Sequence, residues 1–353
     1  MIGDGPAKLQ TATAHENPLS SAILNWAVIL AIFLVGFWFI VIQPLGLNLS
    51  QMPGDLGDTR FNNYILEHDF RWITGKDPSL WTAPSFYPYP DTLAFSDNFL
   101  GSMLFYDIFR WSGLNRESAC QAWYLFSFIL NFSACVYVLK KIGLKPLAIG
   151  AGAFFFTFGL PVLAQENHIQ LSYRFCIPLA CYALWRFSQE RQFKHIVLLI
   201  FWWVWQFYLS IYLGYFLSLL LAVAIIGLTF IQERKLIDIL LYWPRSIKLA
   251  WKRSGLKTNI VYCSVSALLI FGLLALLQPY VLTSKVYGFS RPWSQVVQQL
   301  PRLKSYLISD GSEIWHSMSF LTSSVTDSRW EHQLFIGLPA IILLILGLFW
   351  RFS

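Results

Sequence analysis

Long continuous runs of hydrophobic residues alternate with short polar segments along this chain. About 20 apolar residues in an α-helix cross the roughly 30 Å hydrocarbon core of a bilayer. The pattern predicts about eight transmembrane α-helices, at residues 22–42, 119–139, 146–164, 171–186, 195–209, 212–231, 259–282 and 334–350. The runs are continuous in hydrophobicity, which argues against a transmembrane β-barrel with its alternating strands.

Two segments refine this prediction. The apolar stretch 195–231 is about two membrane-crossing helices long, and its polar and aromatic interruption at 206–212 predicts a tight turn. The segment 98–111 is short and carries Asp107 and Arg110 at helical spacing. It therefore predicts a helix that lies at the membrane interface and does not cross.

Composition agrees with a membrane protein. The chain is 56% hydrophobic and 13% charged, whereas soluble domains are about 25% charged. Its 16 Trp, 16 Tyr and 30 Phe suit a protein with two membrane–water interfaces. The net charge of +7 comes from Lys and Arg in short connections between apolar runs, so no nucleic-acid partner is expected.

The placement of Lys and Arg predicts the orientation. Basic residues concentrate in the connections 140–145, 186–194 and 234–257, which the positive-inside rule assigns to the cytoplasm. The amino terminus is then cytoplasmic, and the segments 44–118, 165–170, 206–212 and 283–333 face outward. We expect one transmembrane domain over residues 1–353. The chain stops soon after its last predicted span, so we also expect it to be a piece of a longer protein.

The first outward segment holds the most concentrated polar residues. Asp55 and Asp58 stand three residues apart beside Gly54 and Gly57, where a short helix is predicted to begin near Asp58. This spacing places both carboxylates on one side of a turn, where they could act as a general base, as cation ligands, or as both. Alternatively, Asp58 is the N-cap of that helix.

A second polar cluster, Glu166, His168, Gln170 and Arg174, lies between two predicted spans. Charged groups at the hydrocarbon boundary are costly unless they face a cavity or one another, which marks the cluster as a candidate site. Alternatively, it is an interfacial turn from which Arg174 extends towards the head groups.

The last outward segment carries several cations, among them Arg291. An arginine there could hold a phosphate. The alternative is an ordinary solvated loop.

Four polar motifs follow one another along the chain. They are Gly54-Asp-Leu-Gly-Asp, Phe86-Tyr-Pro-Tyr-Pro-Asp-Thr-Leu-Ala-Phe-Ser-Asp-Asn-Phe-Leu-Gly, Asn167-His-Ile-Gln-Leu and Glu331-His-Gln-Leu-Phe-Ile-Gly-Leu-Pro-Ala. Over most of its length the chain resembles uncharacterised bacterial membrane proteins grouped with the GT-C-type glycosyltransferases. Members of that group are commonly longer, with further spans after the segment at Glu331. The resemblance implies an all-α GT-C-like helical bundle, with interfacial helices in a large first outward loop, in the bacterial cytoplasmic membrane.

The resemblance also implies an activity. A sugar, a hexose or a pentose, would pass from a polyprenyl-phosphate-linked donor to a glycan or lipid acceptor on the outer face. Asp55 would be the catalytic base and Asp58 its neighbour, and these two would hold a divalent cation, Mg²⁺ or Mn²⁺, if one takes part. The substrate-binding residues would be Asp97, Glu166, His168, Gln170, Arg174 and Arg291.

Two other functions remain open. A flippase or transporter needs polar groups at the bilayer midplane, whereas the predicted spans are nearly free of ionisable residues and the polar clusters lie at their outward ends. A non-catalytic membrane scaffold with the same architecture is the second alternative.

Overall fold

A computed structural model describes residues 18–233 and 235–352. All regular secondary structure in these residues is helical, which confirms the prediction of an α-helical protein. The α-helices are α1 (Pro18–Gly36), α2 (Gln43–Leu45), α3 (Asp58–Ile73), α4 (Met103–Trp111), α5 (Arg116–Lys141), α6 (Pro146–Phe158), α7 (Leu160–Leu163), α8 (Cys176–Glu190), α9 (Phe193–Leu209), α10 (Ile211–Gln232), α11 (Leu236–Arg253), α12 (Leu256–Tyr287), α13 (Trp293–Gln299), α14 (Glu313–His316) and α15 (Leu338–Phe352). The π-helical segment Phe37–Ile42 joins α1 to α2, and 3-10 helices lie at Thr92–Phe95, Ile169–Leu171, Leu303–Leu307, Ser319–Thr322 and Arg329–His332.

Five helical segments of the described residues are long and apolar enough to cross a membrane. They are Ala22–Leu45, Arg116–Lys141, Pro146–Leu163, Ile211–Gln232 and Leu256–Tyr287. Each coincides with one of the predicted spans, and most of their residues remain accessible in the isolated chain, with 11–39% of each apolar window buried. Apolar helices with such exposed surfaces are what a bilayer would cover.

The other three predicted spans are helical but shorter than expected. α8, α9 and α15 contain 15, 17 and 15 residues. At 1.5 Å per residue these helices are about 22–26 Å long, less than the roughly 30 Å hydrocarbon core. α8 begins only at Cys176, because the preceding residues include the 3-10 turn Ile169–Leu171. The count of about eight spans therefore stays a prediction.

The connection between α9 and α10 lies where the sequence predicts a turn. Ser210 alone separates the two helices, and its hydroxyl oxygen accepts a hydrogen bond from the backbone N–H of Leu213 at 3.4 Å. Such an N-cap satisfies one of the free N–H groups of the first helical turn. The apolar stretch 195–231 is therefore folded back on itself as two packed helices.

Two amphipathic helices differ from the sequence-based picture. α4 forms within the predicted interfacial segment, but its Asp107 is fully buried in the protein. α11 is an additional helix within the basic connection, which the hydrophobic pattern alone does not indicate. Its residues Tyr242, Ser246 and Ala250 are buried, and Leu240 is 66% exposed on another side. The four-residue spacing of the buried positions gives one packing face.

The main core supports the segment 44–118, which the sequence predicts to face outward. Ile65, Leu66 and Phe70 of α3 are buried in one cluster with Tyr106 of α4 and Trp123 of α5. This packing fixes α3 on α4 and α5, with the start of α3 next to the turn that precedes α8. The apolar face of α3 thus places its polar first turn at a defined position.

Candidate functional site

The first turn of α3 is capped by Asp55. Gly57 is the N-cap residue, and Asp58 is already the first helical residue. The Oδ1 atom of Asp55 accepts hydrogen bonds from the backbone N–H groups of Gly57 and Thr59, at 3.1 and 3.4 Å. A carboxylate is favoured there by the unpaired N–H groups and by the helix dipole. The alternative that Asp58 is the N-cap is therefore wrong, since Asp55 supplies the capping oxygen.

Asp58 contacts the second polar cluster. Its Oδ2 atom lies 2.9 Å from Nδ1 of His168, and one turn further along α3 the Nδ2 of Asn62 donates to Oε1 of Gln170 at 2.6 Å. Asp58 and Asn62 are four residues apart and so lie on one helix face. The structure thus brings together two clusters that are separate in the sequence. Asp58 and His168 remain 55% and 30% exposed, so solvent or a ligand can reach them.

A glycine permits this close approach. Gly54 has φ +71°, a conformation that residues with a Cβ rarely adopt. A Cβ at Gly54 would lie 2.9 Å from the carbonyl oxygen of Glu166. Any larger residue would separate the Asp55 segment from the polar turn.

The Asp58 contact orients the ring of His168. A carboxylate at Nδ1 fixes which nitrogen of the ring carries the proton. Within the described part of the chain, Nε2 of His168 makes no hydrogen bond. With the Nδ1 proton directed at Asp58, Nε2 of the neutral ring is a hydrogen-bond acceptor, and Nε2 donates a proton only from the imidazolium form.

An open cavity of about 730 Å³ lies beside the first two turns of α3. Asp55, Thr59, Asn63 and Glu67 of this segment line it, together with Ser85 of the following loop. The residues 59, 63 and 67 share one face of α3 because they are spaced by four. This face is distinct from the one that carries Asp58 and Asn62.

Three polar atoms around this cavity have no partner. Thr59 Oγ1, Asn63 Oδ1 and Ser85 Oγ are buried and make no hydrogen bond in the described residues. An unsatisfied buried polar group costs roughly 1–3 kcal/mol, so native structures keep few of them without a reason. All three atoms are covered by protein, so none of them faces the open cavity. Thr59, Asn63 and Glu67 were not among the residues predicted from the sequence. Their four-residue spacing in a predicted helix could have indicated a polar face.

Glu67 has its own partners. Its carboxylate accepts from the hydroxyl group of Tyr106 at 2.8 Å and from Nε of Arg110 at 2.8 Å. These bonds compensate the negative charge of the Glu67 carboxylate and connect α3 to α4. Asp55 differs from Glu67, since its Oδ2 atom makes no hydrogen bond to the described residues. The third cavity carboxylate, Glu117, is paired with Arg116, so Asp55 is the cavity carboxylate that has no cation partner in the described residues.

Arg174 lies beneath the polar turn. Its backbone N–H donates to Oδ1 of Asn131 at 2.9 Å, and its Nη2 atom is 3.4 Å from the carbonyl oxygen of Thr157. Its Nε atom is buried without a hydrogen-bond partner, and no carboxylate of the described residues forms an ion pair with it. Together with Glu166 and His168 it lines a cavity of about 20 Å³, room for about one water molecule. The alternative in which Arg174 extends to the head groups stays a prediction, because only the Nε atom of the guanidinium is buried without a partner.

Arg291 lies apart from these residues. It is exposed and donates to Oε1 of Gln299 at 2.8 Å, and no contact joins it to Asp55 or His168 in the described part of the chain. The loop that carries it does meet the first outward segment, since the hydroxyl group of Tyr287 donates to the carbonyl oxygen of Pro90 at 3.0 Å. The structure thus does not bring Arg291 into the cluster.

Asp97 is fully buried at the start of α10. Its Oδ2 atom accepts from the hydroxyl group of Ser210 at 2.9 Å, and its Oδ1 atom accepts from the backbone N–H of Ile211 at 2.6 Å. Burial raises the pKa of Asp97 to about 7, and these hydrogen bonds oppose that effect. This position suits a residue that fixes a helix terminus better than one that contacts substrate.

A divalent cation held by Asp55 and Asp58 stays a prediction. The described residues contain no group of three or more His, Cys, Asp or Glu side chains that could hold a metal ion. Asp55 and Asp58 each have one oxygen occupied, by the α3 terminus and by His168 respectively. Cations of this kind prefer several oxygen ligands.

No protein-family model matches this chain, and no curated protein or solved structure matches it either.

Proposed function

We propose that the protein is a membrane glycosyltransferase that moves a sugar from a polyprenyl-phosphate-linked donor to an acceptor on the outer face. The observation that carries the proposal is the position of Asp55. Its carboxylate is held at the start of α3 by the backbone N–H groups of Gly57 and Thr59 and lines an open cavity of about 730 Å³. A hydroxyl-bearing acceptor in this cavity would meet a proton acceptor.

The transfer step follows from this arrangement. As an acceptor hydroxyl oxygen attacks the anomeric carbon, its proton passes to Oδ2 of Asp55. The bond between the anomeric carbon and the phosphate oxygen breaks, and that oxygen keeps the electron pair. A positioned carboxylate contributes about 10²–10⁴-fold to such a reaction. The hydrogen bonds from Gly57 and Thr59 hold the carboxylate in place throughout.

The leaving phosphate needs positive charge or a proton. Arg174 is a half-buried cation without a carboxylate partner in the described residues, and His168 is oriented by Asp58 nearby. Fixed donors of this kind stabilise developing charge more effectively than water does. We assign the donor phosphate to Arg174 and His168 rather than to Arg291, because Arg174 has no carboxylate partner in the described residues and lies beside His168. The cavity that the two residues share is about 20 Å³, so it would have to open to admit a phosphate.

The helical bundle suits a lipid-linked donor. The polyprenyl chain would lie in the hydrocarbon beside the apolar helices, and its phosphate would reach the level of the polar turn 165–170. A site at the ends of the spans favours chemistry at the interface over a path across the bilayer. No step of the proposal passes through a metal ion.

The function is tested with the full chain in proteoliposomes. Farnesyl-phosphate-linked mannose, glucose and arabinose serve as donors, and octyl glycosides serve as acceptors. The proposal expects free farnesyl phosphate and a lengthened acceptor in equal amounts. Entry of the sugar donor into the vesicle lumen without either product would identify a transporter or flippase and overturn the proposal. Chelation followed by addition of Mg²⁺ or Mn²⁺ in the same assay measures any cation requirement.

A further inference from the structure

An apolar groove of about 800 Å³ runs between α1 and α5. Its walls include Ile29, Leu30, Phe33, Ile129, Phe132 and Val136. Both helices belong to segments that are long and apolar enough to cross a membrane. The groove is thus a surface that hydrocarbon, rather than water, would fill.

Two lysines close one end of the groove. Lys140 and Lys141 are the last residues of α5, and both line it. The Nζ atom of Lys140 is 4.5 Å from the ring centroid of Trp26, and that of Lys141 is 5.8 Å from the ring centroid of Tyr137. Neither ammonium group forms an ion pair with a carboxylate in the part of the chain that the structure describes.

We infer that this groove binds one anionic phospholipid, with an acyl chain along the apolar walls and the phosphate against Lys140 and Lys141. The pattern of charge identifies the occupant. Two unpaired cations at the end of an apolar channel complement a ligand that is apolar along its length and negative at its head. Basic pockets between transmembrane helices bind anionic lipid head groups in this way.

The aromatic rings make the two cations a pre-formed site. Trp26 and Tyr137 hold the ammonium groups by cation–π contacts, so less side-chain entropy is lost when a head group binds. A zwitterionic lipid would fill the groove equally well, but the cation of its head group would lie close to the two positively charged lysines. We therefore expect selection by net head-group charge. This inference does not depend on the proposed glycosyl transfer.

Native mass spectrometry of the full chain in detergent tests the site. The probes are phosphatidylglycerol, phosphatidylcholine with the same acyl chains, and inorganic phosphate. We expect the first phosphatidylglycerol molecule to bind at least tenfold more tightly than phosphatidylcholine. The double variant Lys140→Gln/Lys141→Gln should lose this preference. Ser133→Trp, which fills the groove, should weaken phosphatidylglycerol binding at least tenfold.

The matched control is Lys248→Gln/Lys252→Gln, which removes two exposed lysines of α11 outside the groove. This control variant should keep the ratio of phosphatidylglycerol to phosphatidylcholine affinity within twofold of the wild-type ratio. Equal binding of the two lipids would overturn the inference, as would equal loss in the control variant. Inorganic phosphate that binds as tightly as phosphatidylglycerol would show a simple anion site and would also overturn it.

A second measurement needs no variant. The wild-type chain in nanodiscs is treated with an amine-acylating reagent, and labelling is read by peptide mapping. Phosphatidylglycerol nanodiscs should protect Lys140 and Lys141 at least fivefold relative to phosphatidylcholine nanodiscs, with Lys248 and Lys252 as internal references. Equal labelling of Lys140 and Lys141 in both lipids would contradict the inference.

Discussion

The Nδ1 atom of His168 lies 2.9 Å from Oδ2 of Asp58, across 110 residues of sequence. This contact joins the first turn of α3 to the polar turn before α8. Asp55 thus belongs to a segment that contacts the one carrying His168 and Arg174, although the carboxylate and these two side chains line separate cavities. The proposed transfer step depends on the contact between these two segments.

The Asp58–His168 pair should act as a unit. His168→Gln and Asp58→Asn should each lower the transfer rate about 100-fold, and the double variant should lose no more than about threefold beyond either single change. The effect on the free energy of unfolding should stay below about 1 kcal/mol, because the pair is partly exposed. Rates of the two single and the double variants form the double-mutant cycle. His316→Gln is the matched control at an exposed histidine, and fully multiplicative losses would contradict the coupling.

Arg174 and Arg291 should differ in their effect on the donor. Arg174→Gln should lower kcat/KM for the lipid-linked donor about 100-fold or more, since it removes a fixed cation from the leaving phosphate. Arg174→Lys should recover little of this, because an ammonium lacks the planar donor geometry of a guanidinium. Arg291→Gln should stay within about threefold of the wild type. A larger loss at position 291 would reverse the assignment of the phosphate contact.

The cavity beside α3 should bind the acceptor. Ser85→Trp should raise the KM for an octyl glycoside acceptor by about tenfold or more, because the indole would occupy space that the acceptor needs. Slow hydrolysis of the donor by water should continue at the wild-type rate. In one assay the lengthened acceptor measures transfer and the free sugar measures hydrolysis, and the released farnesyl phosphate equals their sum. Ser323→Trp is the control at an exposed serine of the last outward segment, and equal effects of the two substitutions would exclude this role for the cavity.

Buried carboxylates should make stability depend on pH. Asp69 and Asp107 are fully buried, and their carboxylate oxygens have no hydrogen-bond partners in the described residues. Burial, followed by the nearby Glu67, raises the pKa of Asp107 to about 6. Burial and the charge of Asp107 also raise the pKa of Asp69 well above its ordinary value. Both carboxyl groups are therefore protonated more readily in the folded state than in the unfolded state.

The raised pKa of Asp107 makes the folded chain less stable as pH rises. From about pH 4 to pH 6 the folded chain keeps a proton on Asp107 that the unfolded chain has lost, so stability falls as pH rises through this window. For Asp107 alone the loss is about 2–3 kcal/mol, complete near pH 7. Asp107→Asn should therefore reduce the fall in Tm between pH 5 and pH 7, whereas Asp327→Asn, at an exposed position, should not. An unchanged Tm profile in Asp107→Asn would contradict the burial argument.

The sequence indicates the helices well because their cause is local. A continuous apolar run predicts a helix for each of the five long segments, and the polar break before Ser210 predicts the turn between α9 and α10. The start of α8 at Cys176 was not predictable in the same way. The residues before it adopt a 3-10 turn whose polar side chains bond to α3, and that partner is more than 100 residues away.

The site was predictable only in part, for the same reason. Asp55, Asp58 and His168 were found because charged residues are conspicuous next to apolar runs. Their pairing depends on how α3 packs on α4 and α5, and no local pattern specifies it. Asp97 shows the converse case: its motif resembles a substrate contact, but both oxygens bond at the start of α10, more than 110 residues further along.

The most direct test of the account is the rate of sugar transfer by Asp55→Asn in proteoliposomes, compared with Asp327→Asn as a matched control. An amide keeps the shape and an oxygen that can cap α3, but it cannot take the proton from an acceptor hydroxyl. The account predicts that Asp55→Asn folds with nearly the wild-type Tm and transfers sugar at least about 100-fold more slowly, while Asp327→Asn keeps the wild-type rate. Transfer by Asp55→Asn at the wild-type rate would contradict the assignment of Asp55 as the catalytic base.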